Sequence, residues 1–154
     1  RIELATVVER AARDGAGAER QDRLELELER PIPILGDEQQ IEQLVRNLVD
    51  NALKYGAEGQ PVTVRLASID DKRVRLSVQD RGDGIAPEHI PHLTRRFYRT
   101  DPGRSRASGG TGLGLAIVKH IVERHRGRLS VDSKLGEGTT VVVQLKRDRD
   151  QAEG

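Results

Sequence analysis

Residues 37–55 read Asp-Glu-Gln-Gln-Ile-Glu-Gln-Leu-Val-Arg-Asn-Leu-Val-Asp-Asn-Ala-Leu-Lys-Tyr. Ile41, Leu44, Val45, Leu48 and Ala52 recur at helical spacing and define one apolar face. Asp37 followed by Gln40 resembles a capping box that opens the helix, and Gly56 ends it. With Leu44 as zero and a step of about 100° per residue, Asn51, Asn47 and Lys54 fall at roughly −20°, −60° and −80°. The apolar sector runs from 0° to about 100°, so these three polar groups form a stripe along its border. An amide carbonyl there can coordinate a hard cation, and the lysine can meet an anion. Asparagine costs roughly half a kcal/mol against alanine inside a helix, so two of them four residues apart call for a reason. A solvated or core-capping amide pair stays open as the alternative.

On the N-terminal side, Ile2, Leu4, Val7, Val8, Ala11 and Ala12 predict a helix, broken at Asp14-Gly-Ala-Gly, that looks cut from something longer. Leu24, Leu26 and Leu28 alternate with Glu25, Glu27 and Glu29 as a half-buried strand, which Pro31 and Pro33 keep from continuing as a central one. On the C-terminal side, Val62 to Ala67 and Val74 to Asp80 flank the turn Asp70-Asp71-Lys72 as an antiparallel hairpin. Leu113 to His125 is helical through Ile117, Val118, Ile121 and Val122, and Gly127 closes it. Leu129 to Ser133 and Thr139 to Leu145 predict a last pair of strands around Leu135-Gly-Glu-Gly. The pattern is α+β: a two-layer α/β sandwich whose mixed, mostly antiparallel sheet of about five strands carries helices on one face. One domain spans residues 1–146, and 147–154 form a polar tail.

Two further stretches can bear chemistry. Asp80 sits at a strand end before Gly82 and Gly84, where a flat ligand can approach the backbone and a carboxylate can accept from an exocyclic amine such as that of adenine. An ordinary Asp-Gly turn is the alternative. Gly109-Gly110-Thr111-Gly112-Leu113-Gly114 leads into a helix, so backbone N–H groups can cradle phosphates there. Just before it, Arg95, Arg96, Arg99, Arg104 and Arg106 face one acid, Asp101. They are placed to close over a polyphosphate, against the alternative of a solvated basic loop. The chain's three aromatics, Tyr55, Phe97 and Tyr98, all fall in these segments, which leaves an aliphatic core.

Composition narrows the function classes. The 154 residues carry 26 Lys+Arg and 25 Asp+Glu, a net charge of +1, which argues against nucleic acid as the main partner. No apolar run reaches the ~20 residues of a membrane span. Cysteine is absent, and the four histidines have no metal-ligand spacing. Neither G-x-x-x-x-G-K-[ST] nor G-x-G-x-x-G occurs, so a nucleotide would be held by other means.

Taken jointly, five segments resemble, in order, the motif boxes of the ATP-binding catalytic domain of sensor histidine kinases, in the superfamily of gyrase, Hsp90 and MutL. Asn47 to Tyr55 resembles the N box and Asp80 to Gly84 the G1 box. Arg96-Phe97-Tyr98-Arg99 resembles the F box, Gly110 to Leu115 the G2 box, and Gly136 to Thr140 the G3 box. Thr94 departs from the pattern, since such kinases often carry another aromatic there.

The resemblance implies the Bergerat fold, with ATP and Mg²⁺ as cofactors. Asn51, helped by Asn47, would ligate Mg²⁺, while Lys54 and Tyr55 line the nucleotide. Asp80 would bind the adenine amino group, with Gly82, Gly84 and Ile85 beside it. Phe97 and Arg99 would anchor a lid over the ATP, and Arg96 joins Asn47, Asn51, Lys54 and Arg99 as candidates in phosphoryl transfer. Gly110, Thr111, Gly112, Leu113 and Gly114 would wrap the phosphates, and Thr139 and Thr140 would close the floor.

Hydrolytic relatives, and the anti-sigma-factor serine kinases, resemble one another in carrying glutamate where this chain has Asn47. Without that base water attack should be slow, which suits a γ-phosphoryl group kept for a better nucleophile. The implied acceptor is a histidine on a dimerisation domain outside this chain, since no histidine here has the acceptor motif. A cognate response regulator would act downstream. The fragment is expected to be a monomer on the cytoplasmic side, and its parent a homodimer anchored in the inner or plasma membrane. The alternatives are an ATPase that uses nucleotide for conformational change, or a binding module without catalysis.

Overall fold

Alternation of apolar and polar residues sets the sheet. In a computed structural model, which describes residues 2–18, 20–55, 60–82, 114–134 and 137–147, five strands lie in the order β2-β4-β5-β7-β6. They are β2 (Leu24–Leu28), β4 (Val62–Ser68), β5 (Arg73–Asp80), β6 (Arg128–Lys134) and β7 (Gly138–Lys146). β2 runs parallel to β4, and the other neighbours are antiparallel. β2 is an edge strand and ends before Pro31 and Pro33.

Register places Leu26, Val64, Val78, Val141 and Val131 in one row across the sheet, and Leu28, Leu66, Leu76, Val143 and Leu129 in the next. These rows face the helices α1 (Leu4–Ala16), α2 (Glu38–Tyr55) and α3 (Gly114–Arg124). Among the described residues the buried apolar side chains are all Ala, Val, Leu or Ile.

The N-terminus differs from the simple helix predicted from Ile2 onward. Ile2 and Glu3 form a short strand, β1 (Ile2–Glu3), paired with β3 (Pro33–Ile34), and α1 begins only at Leu4. The reason is Glu3, whose carboxylate accepts from the N–H groups of Ala5 and Thr6 at the helix start and from Ile32 N–H at 2.8 Å. A residue that caps the helix has extended backbone and so can join a strand.

The ends of α2 and α3 fix the direction of the helical layer. Asp37 Oδ1 accepts from Gln40 N–H at 3.1 Å, the forward half of the anticipated capping box. Asp37 N–H donates to His125 Nε2 at 3.1 Å, and His125 Nδ1–H donates to Ile121 O at 2.8 Å. The start of α2 therefore meets the end of α3, and the two helices run antiparallel. Helix α3 stops in a Schellman turn: Arg126 takes the left-handed conformation (φ 56°), its N–H reaches Glu123 O, and Gly127 N–H reaches Val122 O.

The Glu3 carboxyl makes stability acid-sensitive. Burial pushes it up, but the hydrogen bonds from Ile32, Thr6 and Ala5 together outweigh this and hold it below the usual range. Its contribution is therefore complete above the unfolded value of about 4.3 and disappears as pH falls through the lower folded value. Denaturant unfolding followed from pH 7 to 2.5 should show wild type losing stability below about pH 4.3 more steeply than Glu3→Gln. Parallel curves would show that this carboxylate does not tie the first helix to the body.

Candidate functional site

Connections and strand register bring the ends of several elements together. β4 begins seven residues after α2 ends, and Arg23, just before β2, donates to Leu53 O of α2 at 3.3 Å and to Gln60 O at 3.0 Å. The C-terminal turns of α2 thus lie over the edge where β2 and β4 begin, where β5 ends at Asp80 and where β7 begins. Since α3 is antiparallel to α2, its N-terminus at Gly114 points to the same end.

At that end the apolar rows of the sheet give way to a polar one. Thr139 pairs with Asp80 on one side and with Ser133 on the other, so the three side chains share the helix-facing surface. Asp80 is only 8% exposed, and its Oδ1 accepts from Gly82 N–H at 2.9 Å. Ser133 Oγ donates to Gly138 O at 3.0 Å and lies 2.8 Å from Thr139 Oγ1. Thr140 pairs with Gln79 and so belongs to the opposite face of the sheet, because successive strand residues alternate.

Gly138 makes this row possible. Its φ is +121°, and a Cβ added there would lie 2.2 Å from Asp80 O. Only a residue without a side chain lets β7 start against the backbone of Asp80.

On α2, Asn47, Asn51 and Lys54 are all half-buried on the stripe anticipated from the sequence. Among the described residues, neither asparagine side chain makes a hydrogen bond. Half-exposed amides without a protein partner leave their oxygens open to water or to a ligand. Lys54 Nζ pairs with Asp50 Oδ2 at 3.1 Å, and Arg20 Nη2 holds Asp50 Oδ1 at 3.2 Å.

The structure thus brings the amide stripe, Asp80, Gly82, Thr139 and Gly114 to one end of the sandwich, and Tyr55 is the last residue of α2. Gly84, Ile85, Arg96, Phe97, Arg99, Gly110, Thr111, Gly112 and Leu113 lie outside the described residues. Three residues escaped the sequence reading. Ser133 was legible in principle, from the register of the antiparallel pair β6 and β7. Asp50 was legible as an acid four residues before a lysine, whereas Arg20 left no local signal because its contact spans thirty positions. A separate open cleft, lined by Gly36, Asp37, Arg124, His125 and Arg147, lies at the opposite end and contains none of the candidates.

Comparison with known proteins accords with this geometry. Residues 36–149 match the profile of the family described as histidine kinase-, DNA gyrase B-, and HSP90-like ATPase. The chain belongs to this family. Within it, the chain is 44% identical over 123 residues to the phosphate regulon sensor protein PhoR of Pseudomonas aeruginosa, covering 80% of this chain and 28% of that protein. It is 49% identical over 112 residues to the sensor histidine kinase YkoH of Bacillus subtilis, covering 73% and 24%. This histidine kinase-type domain thus spans about a quarter of the length of those relatives. Its fold is similar to that of the mycobacterial sensor histidine kinase MprB, with a TM-score of 0.80, 32% identity, and coverage of 95% of this chain and 97% of that one.

The Gly138 contact can be tested directly. Gly138→Ala should cost about 2 kcal/mol or more in denaturant unfolding, since a positive φ and a backbone clash add. Gly17→Ala, whose backbone is also strained (φ +73°) but whose Cβ would meet nothing within 4 Å, should cost less than Gly138→Ala because the clash is missing. Equal losses would contradict the close approach of β7 to Asp80.

Proposed function

We propose that this domain binds Mg²⁺·ATP between α2 and the Asp80 end of the sheet and passes the γ-phosphoryl group to a histidine on a domain outside this chain. The observation that carries the reading is the convergence of the amides of Asn47 and Asn51, without hydrogen-bond partners among the described residues, with a buried carboxylate at one end of the sandwich.

Each role follows from the chemistry of the group. Asp80 is fixed by Gly82 N–H and buried at the end of an apolar surface, where it accepts from the exocyclic amine of adenine. The aliphatic rows behind it suit the flat purine. The two amide oxygens on α2 are hard donors, and Mg²⁺ needs only one or two protein ligands because phosphate and water complete its octahedron. Asn51, assisted by Asn47, would hold it, and when bound it would neutralise phosphate charge. Lys54 offers a mobile ammonium to the same phosphates. Tyr55, Gly84, Ile85, Phe97, Arg96, Arg99, Gly110, Thr111, Gly112, Leu113 and Gly114 complete the nucleotide-binding set by the family's pattern, while Thr140, on the other face of the sheet, drops out of the floor and leaves Thr139 there.

Asn47 favours transfer over hydrolysis. An amide cannot take a proton from water as a carboxylate does, so the site positions ATP without activating water at that position. The phosphoacceptor domain, the response regulator downstream, and a dimeric, membrane-anchored parent with this domain on the cytoplasmic side belong to the same proposal. Among the described residues no helix is long and apolar enough to cross a membrane.

A fluorescent ATP analogue titrated with and without Mg²⁺ tests the binding half. Asn51→Ala should lose the Mg²⁺-dependent part of the affinity, and Asp80→Asn should lose about ten-fold or more of the preference for adenine over guanine nucleotides. Retained affinity and selectivity in both would place the site elsewhere. Adding a histidine phosphoacceptor domain and γ-labelled ATP should then yield acid-labile phosphoprotein, whereas steady phosphate release unaffected by that domain would indicate an ATPase.

A further inference from the structure

Lys54 is already engaged before any phosphate arrives. Its Nζ lies 3.1 Å from Asp50 Oδ2, and Asp50 Oδ1 lies 3.2 Å from Arg20 Nη2. Arg20 is itself anchored, donating to Ala16 O at 3.0 Å and to Gly15 O at 3.2 Å in the last turn of α1. Around the axis of α2, the α1 side is marked by the contact of Gly15 with Arg46 and Val49. Asp50 falls at roughly −120° and Lys54 at roughly −80°, between that side and the amide stripe. A single carboxylate therefore stands between one cation fixed to α1 and another that borders the proposed phosphate site.

The two cations differ in freedom. Arg20 is held by two backbone carbonyls as well as by Asp50, while for Lys54 the Asp50 ion pair is the one polar side-chain contact among the described residues. The lysine is a compact charge on a flexible stem and can exchange one anion for another. All three side chains are about one-third exposed, a setting in which ion pairs are weak enough to be exchanged.

We propose that Asp50 is a built-in competitor for Lys54, and that Arg20 sets how strongly it competes. A polyphosphate must take Lys54 from Asp50 and also meets the carboxylate's repulsion. Arg20 limits both effects by drawing Asp50 toward α1 and neutralising much of its charge. The arrangement lowers the affinity for ATP and ADP and leaves recognition of the purine untouched. This inference rests on the nucleotide-binding reading above.

The test is a sign pattern that a purely structural role would not produce. ATP and adenosine affinities are measured for wild type, Asp50→Asn, Asp50→Ser, Arg20→Gln and the double variant Arg20→Gln/Asp50→Asn, with thermal unfolding run alongside. Neutralising Asp50 should tighten ATP binding about three- to ten-fold, an effect that shrinks at high salt, and should leave adenosine unchanged. Arg20→Gln should weaken ATP binding by a similar factor, and the double variant should match Asp50→Asn. If both Asp50 variants bind ATP no more tightly than wild type, or if loss of Arg20 weakens binding equally without Asp50, the competitor role is overturned and the nucleotide site stands. If wild type binds no ATP at all, the functional reading falls and this inference falls with it.

Discussion

Asp80 is a carboxylate taken out of water at the end of an otherwise apolar strand face, and such a group must be held by hydrogen bonds or its burial is prohibitive. Gly82 N–H supplies one. The strand alongside is pressed so close that only glycine fits at position 138, which brings Thr139 and Ser133 into line with the carboxylate. The polar row therefore follows from the sheet's pleat and a single missing side chain. Everything proposed for this site depends on that row facing the helices and not the open surface.

The helices supply the other wall. The His125–Asp37 contact sets α2 and α3 antiparallel, so the C-terminal turns of one and the N-terminus of the other share an end. A one-residue slip of β5 would have sent Asp80 to the outer face, in line with Thr140. The apolar rows forbid such a slip, because it would also expose Val74, Leu76 and Val78. The constraint that builds the core is thus the one that aims the site.

Much of this was legible in the sequence, because its main signals are periodic. Alternation gave the strands and their faces, and helical spacing gave α2 with its amide stripe. What escaped was non-periodic. Glu3 reads as part of a helix until its bond to Ile32, twenty-nine residues away, shows why it caps instead. Thr139 and Thr140 read as equals until the pleat separates them. Gly127 reads as the helix stop, whereas the left-handed residue is Arg126, a position that local preference would not have assigned. In each case the deciding contact lies across the fold or turns on the conformation of one residue.

The central claim is that the α2 amides and the Asp80 row bound one nucleotide cavity. It is tested most directly by recording the NMR spectrum of the domain as a non-hydrolysable ATP analogue and Mg²⁺ are added. The side-chain amide signals of Asn47 and Asn51 and the backbone signals of Asp80, Gly82 and Thr139 should move together along one saturable curve, with Asp37 and His125 at the far end unaffected. Shifts confined to the far end, or to only one of the two walls, would contradict the account.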